Sequence, residues 1–248
     1  MTYPKLSDLD TTHPQVADAV QAARDWKKLK AEGVENISLV LSGPNGAGKT
    51  HIARAILWSI RAEVGDLAEG YQGLVENDAV IGHEIHLGRF HKAANLLVKL
   101  GPYTDDDGRM REPNPGYFVG DSQIIVLDDF GANVSLPYIK GEAQIDEIQT
   151  RWFLFFDYCM GRKKVVAEPV HYTVSDDGVA MSGWKHDRIP YPPSLIITTN
   201  LDIGGGDKSE LAKYVGMRVW SRLQEFCPAG FMVNMRDVPD WRKKRSGR

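Results

Sequence analysis

Between an apolar run, ISLVLS over residues 37–42, and a stretch with apolar residues at helical spacing lies GPNGAGKT, Gly43 to Thr50. It fits the pattern G-x-x-x-x-G-K-[ST] without a mismatch, and no other feature narrows the possible folds as far. Its glycines let the backbone curl so that successive N–H groups point inward, and a following helix adds the positive end of its dipole. Such a cradle takes phosphate. In this reading Gly43, Pro44, Asn45, Gly46, Ala47 and Gly48 line the loop, with His51 beside it on the helix. Lys49 reaches the β and γ phosphates of ATP, and the Thr50 hydroxyl binds Mg2+.

The pattern also arises by chance as a plain glycine-rich turn, so its flanks carry the weight. Residues 37–42 are short, β-prone and nearly all apolar, as a parallel strand buried on both faces must be. From about Lys49 to Ala62, Ile52, Ala55, Ile56 and Ile60 fall on one helical stripe. Strand, loop and helix open a βαβ unit.

A second apolar run, IIVLDDFGA over 124–132, ends in two carboxylates, Asp128 and Asp129. Unpaired charge at the rim of a core costs several kcal/mol, so a cation must face them. In a parallel sheet the loops at the carboxyl ends of the strands share one crevice, which brings these carboxylates toward a bound Mg2+. Asp128 is then a metal ligand and Asp129 the group that polarises the attacking water. The plain alternative is a pair of strand-end aspartates capping a turn. SLIITTN, 194–200, is a third buried-type strand, and it ends in Thr199 and Asn200, neutral groups suited to hold the lytic water or sense the γ-phosphate.

The remaining pattern alternates strand and helix, which predicts an α/β fold: a three-layer sandwich around a central parallel sheet. A helix over 14–30 precedes the first strand. A second strand ends near His91 and a helix runs on through Leu100; 101–120 reads as a mobile, turn-rich loop. Residues 144–159 form a helix whose aromatics, Trp152, Phe155 and Phe156, suit core packing better than base stacking. Residues 163–193 read as an inserted β-hairpin around Asp-Asp-Gly. One helix spans 209–226, and GFMVNMRDV is the last strand. The domain layout is a linker and helix over 1–36, a nucleotide-binding domain over 37–240 and a basic tail over 241–248.

Bulk properties bound the function. The net charge of −3 gives no global attraction to nucleic acid, but the tail WRKKRSGR could meet phosphates or simply be solvated. No apolar run reaches the roughly 18 residues of a membrane span and MTYPKLSDLDTTHP lacks signal-peptide character, so no membrane partner and a cytoplasmic location are expected. Cys159 and Cys227 lack metal or disulfide spacing and read as buried thiols. GHEIH, 82–86, lacks the HExxH spacing of a zinc site.

Taken together, GPNGAGKTHIARAI, IIVLDDFGA and SLIITTNL resemble the Walker A, Walker B and sensor 1 segments of AAA+ ATPases, specifically the DnaC/IstB-like branch. GMRVWSRLQEFCP, 216–228, resembles that branch's box VII helix, and the similarity spans about Asp8 to Arg245. The resemblance implies a P-loop NTPase of AAA+ type using ATP and Mg2+. It makes Lys49, Asp129, Asn200 and Arg222 the catalytic set, Arg222 being an arginine finger offered to a neighbouring subunit and Arg218 a supporting contact at the nucleotide. It further implies a slow, partner-stimulated ATPase that loads a replicative helicase, binds single-stranded DNA and forms a homo-oligomer through Arg222 when ATP is bound. AAA+ proteins often end the second strand in a polar residue that restrains the catalytic acid, a role that falls here on His91. Departures from the branch are the roughly 36 residues ahead of the first strand, where bacterial loaders carry a helicase-binding domain, the 163–193 insertion, and no evident C-terminal lid. A transposition helper of the IstB type and a P-loop small-molecule kinase are the alternative readings.

Overall fold

The sheet is built outward from the strand that precedes GPNGAGKT. The computed structural model describes residues 4–34, 36–65, 74–76, 88–120, 122–132, 142–161, 163–173, 180–190 and 192–241. In chain order the first elements are α1 (Pro14–Ala31), β1 (Leu39–Ser42), α2 (Lys49–Gly65), β2 (Leu74–Glu76), β3 (Gly88–Lys92) and α3 (Ala93–Lys99). Then come β4 (Tyr103–Thr104), β5 (Met110–Arg111), α4 (Gly116–Val119), β6 (Ile124–Phe130) and α5 (Glu142–Gly161). The remainder are β7 (Lys163–Thr173), β8 (Ala180–Pro190), β9 (Ser194–Thr199), α6 (Glu210–Val215), α7 (Met217–Phe226) and β10 (Met232–Asn234).

Among the described residues one sheet of six parallel strands runs in the order β10-β1-β9-β6-β3-β2. Its central strands are buried along their whole length: all four residues of β1 and all six of β9. This is why they read as unbroken apolar runs rather than alternating ones. Each face carries its own core. On one side α1 and α2 contribute Val16, Val20, Trp26, Ile52 and Ile56, and the indole N–H of Trp26 donates to the Ile37 carbonyl at 2.8 Å, tying α1 to the chain entering β1. On the other, α3, α5, α6 and α7 bring Leu96, Trp152, Phe156, Val215 and Trp220 against β6 and β9. Phe130, the last residue of β6, lies 4.5 Å centroid to centroid from Trp152 and 5.4 Å from Tyr214. The aromatics of α5 are therefore core, as their spacing implied. Cys159 and Cys227 are free and buried, and burial pushes the Cys227 thiol up. Among the described residues no helix is long and apolar enough to cross a membrane.

Several elements depart from the sequence reading. The helix expected over 209–226 is two helices, broken where Gly216 adopts φ +79°. A side chain there would also place its Cβ 2.8 Å from Gln149 Oε1 on α5. Helical periodicity continues across the break, so the pattern alone could not reveal it. The expected loop over 101–120 is an organised turn: Asp105 accepts from the backbone N–H groups of Asp107 and Arg109 and from Arg111 Nε, and α4 follows. The Arg111 guanidinium holds the Asp105 carboxyl below its ordinary value. Strand β2, at the sheet edge, has no counterpart in the sequence reading. The inserted hairpin is present as β7 paired antiparallel with β8, a two-stranded sheet separate from the main one; its Asp-Asp-Gly turn lies outside the described residues. So do GHEIH and the basic tail beyond Trp241.

Candidate nucleotide-binding site

The strand order decides which side chains meet. β9 lies between β1 and β6, so the Asp-Asp strand is one strand removed from the P-loop strand. The gap is bridged from above by the first turn of α2. Thr50 Oγ1 donates to Asp128 Oδ1 at 2.7 Å, and Thr198 Oγ1, on the intervening strand, donates to the same oxygen at 2.6 Å. Asp128 is fully buried.

Lys49, also buried, donates from Nζ to the carbonyls of Gly43 and Pro44 at 2.6 and 2.8 Å and to Asn200 Oδ1 at 2.8 Å. The Asn200 amide in turn donates to Asn45 Oδ1 at 2.9 Å. The end of β9, the P-loop lysine and the P-loop tip thus form one connected set. Gly46 sits at φ +80°, and any Cβ there would fall 1.8 Å from Asp240 Oδ1. After β10 the chain returns across the loop, and the Trp241 N–H donates to the Gly46 carbonyl at 3.3 Å. On the opposite side the N-terminal segment closes in: His51 Nε2 donates to the Lys5 carbonyl at 3.0 Å, and Leu9 lies beside Gly48. Neither flank was visible in the sequence, because both contacts link segments far apart along the chain.

Asp129 has φ +54°, a left-handed conformation uncommon outside glycine and found at functional sites. It coincides with the register shift between β6 and β9 after Leu127. The Asp129 N–H donates to Thr198 Oγ1 at 3.0 Å, and its side chain is 41% exposed. Thr199 is turned to the strand end: its hydroxyl donates to the Phe130 carbonyl at 2.7 Å and accepts from the Leu201 N–H. Thr198, one residue earlier, is the threonine of β9 whose hydroxyl meets Asp128 and Asp129.

The cation demanded by two carboxylates is Lys92, which the sequence reading missed. Its Nζ pairs with Asp128 Oδ2 and, at 2.7 Å, with Asp129 Oδ2. Burial alone would lower the ammonium's pKa, but its hydrogen bonds to both aspartates and their charges outweigh it and the net shift is upward. The strand-end side chain that contacts Asp129 is Lys92, not His91. His91 points to the other face of the sheet, where its Nε2–H donates to the Phe118 carbonyl at 2.9 Å; desolvation holds its pKa below the ordinary value. Alternation along a strand sends neighbours to opposite faces, so an error of one residue exchanges the two roles.

The proposed trans residues stay apart from this cluster. Arg222 is exposed on α7 and pairs with Glu225 at 3.1 Å. Arg218 lies over the Phe153 ring, 5.6 Å from its centroid. Neither has a contact among the residues of the P-loop cluster described above.

The oxygen donors Thr50 Oγ1 and Asp128, brought to 2.7 Å, fit a hard divalent cation: the threonine proton is committed to Asp128, which leaves the hydroxyl lone pairs available. Among the described residues no group of three or more His, Cys, Asp or Glu side chains is arranged to hold a metal.

P-loop between β1 and α2, acidic strand end on β6 and polar strand end on β9 define a P-loop NTPase fold of AAA+ type. The solved structures most similar to it include the DnaC helicase loader, 17% identical, with a TM-score of 0.53 over 90% of this chain and 93% of that one. DnaI is 14% identical, with a TM-score of 0.50 over 95% of this chain and 89% of that one. The chain therefore has the DnaC-like fold. No protein-family model matches the sequence, and no curated protein matches it.

Proposed function

We propose that the chain is an ATP-dependent helicase loader of the DnaC type. The observation that carries this reading is the Lys49–Asn200 and Thr50–Asp128 pairing, set in a fold shared along its length with the DnaC helicase loader. Bound Mg2+ would supply charge neutralisation for the phosphates, held by Thr50 and Asp128. The protein's own part begins at Lys49, whose ammonium leaves the Gly43 and Pro44 carbonyls for phosphate oxygens. Asn200, hydrogen-bonded to both Lys49 and Asn45, reports the state of the loop to the end of β9. Asp129 accepts a proton from water during hydrolysis, and Arg222 of one copy stabilises charge at the site of the next. Single-stranded DNA and a replicative helicase are the partners, with ATP acting as a switch of partner affinity more than as fuel.

The test is ATP-dependent complex formation with a purified replicative helicase on single-stranded DNA, run beside a transposase. Lys49→Ala abolishes nucleotide binding and the helicase complex together. A Lys49→Ala protein that binds ATP like wild type would refute the nucleotide-site assignment; capture of the transposase alone would replace loader with transposition helper.

A further inference from the structure

Asp128 uses its two oxygens unequally. Oδ1 receives the hydroxyl protons of Thr50 and Thr198, while Oδ2 is held by the Lys92 ammonium. The β3–β6 register sets Lys92 directly opposite Asp128, and the left-handed turn at Asp129 brings the second carboxylate to the same Nζ. One ammonium therefore pairs with both acids of the site and offsets only part of their charge. Mg2+ draws on the electron density of that same buried carboxylate, and a dication and an ammonium sharing one carboxylate repel each other strongly at such separations. The lysine side chain is 38% exposed, so it has a solvated path out on a flexible stem, whereas Asp128 has none.

We propose that Lys92 is a built-in counter-cation that competes with the divalent metal for Asp128, so that metal binding and release of Asp129 are one event. The inference rests on the nucleotide-site reading above for its role in turnover. The competition itself is a property of the chain with metal alone. Without a metal, Lys92 keeps the buried aspartate compensated, which a bare carboxylate there could not be. Once Asp128 serves the metal, Lys92 loses one of its two anchors and Asp129 becomes free to accept a proton.

The experiment is Mn2+ titration of the full chain without nucleotide, followed by electron paramagnetic resonance. Lys92→Met binds Mn2+ about tenfold more tightly than wild type or better, because the competing charge is gone; Lys92→Arg, which keeps the charge, stays near wild type. Adding Asp128→Asn to Lys92→Met removes the gain. Equal Mn2+ affinity of wild type and Lys92→Met, or a gain that survives Asp128→Asn, overturns the proposal. A second measurement needs no variant and so stands if Lys92→Met does not fold. The ammonium protons of Lys92, shielded between two carboxylates, are lost to fast solvent exchange in nitrogen-15 spectra when Mg2+ and ADP are added; their persistence at saturation overturns the proposal. ATP binding measured in parallel separates the two readings. If ATP binds and Lys92 does not respond to metal, only the competition is wrong; if ATP does not bind, the nucleotide-site reading falls while the Mn2+ titration still decides the competition.

Discussion

Thr50 Oγ1 and Asp128 Oδ1 are 2.7 Å apart although 78 residues separate them in the chain. A hydroxyl bonded to a carboxylate contributes about 1.5–3 kcal/mol. Thr50→Val, similar in shape, should therefore lower stability by about 1–3 kcal/mol in denaturant unfolding and weaken Mg2+-dependent ATP binding, while Thr50→Ser retains both. Loss of stability without any change in Mg2+ dependence would reduce Thr50 to a structural role.

Asp129 is the proposed base, and its backbone conformation limits how it can be changed. Asn tolerates φ +54° better than other residues, so Asp129→Asn keeps the fold and ATP binding. It should slow hydrolysis by about a hundredfold or more, the scale of a lost general base. Wild-type turnover should itself be slow and rise with helicase or DNA. Asp129→Glu reaches one methylene further and should raise the basal rate, though the left-handed backbone makes it less stable than Asn. A fast wild-type ATPase indifferent to partners would contradict the switch.

Arg222 pairs with Glu225 on an exposed face, and such pairs contribute about 0–1 kcal/mol. Arg222→Ala should thus leave the thermal midpoint and ATP affinity nearly unchanged, yet reduce hydrolysis in the assembled complex by about tenfold or more. The comparison is turnover against protein concentration: wild type should accelerate on assembly and the variant should not.

His91 gives stability a pH dependence of known sign. Desolvation favours its neutral form in the folded chain, so its folded pKa lies below the ordinary value near 6.5. The unfolded chain then binds more protons in that window, and stability is fully present above about 6.5 and declines as pH falls toward the folded value. His91→Gln retains a donor for the Phe118 carbonyl and should show a shallower fall in unfolding midpoint between pH 7 and 5. Identical slopes would mean that His91 does not control acid sensitivity.

That Asp128 would lie beside the P-loop was legible, because a doublet of carboxylates closing an apolar run lies at the carboxyl end of a parallel strand, where the P-loop also lies. Lys92 was not, because a lysine after Gly-Arg-Phe-His resembles any strand exit, and its meaning comes from the register that sets it opposite Asp128. Thr198 and Thr199 were indistinguishable as neighbours in a run; only the register shift beside Asp129 shows which hydroxyl meets the acid.

By itself the sequence determined the α/β class, the P-loop and the two polar strand ends, since each is written in short-range chemistry: glycines for a curled loop, unbroken apolar runs for strands buried on both faces, charge where a run ends. Tertiary structure alone decided the order β10-β1-β9-β6-β3-β2, the break at Gly216, the C-terminal return over Gly46 and the placing of Lys92 between Asp128 and Asp129. These depend on which strands become neighbours and in what register, and that is settled by packing both faces of the sheet at once.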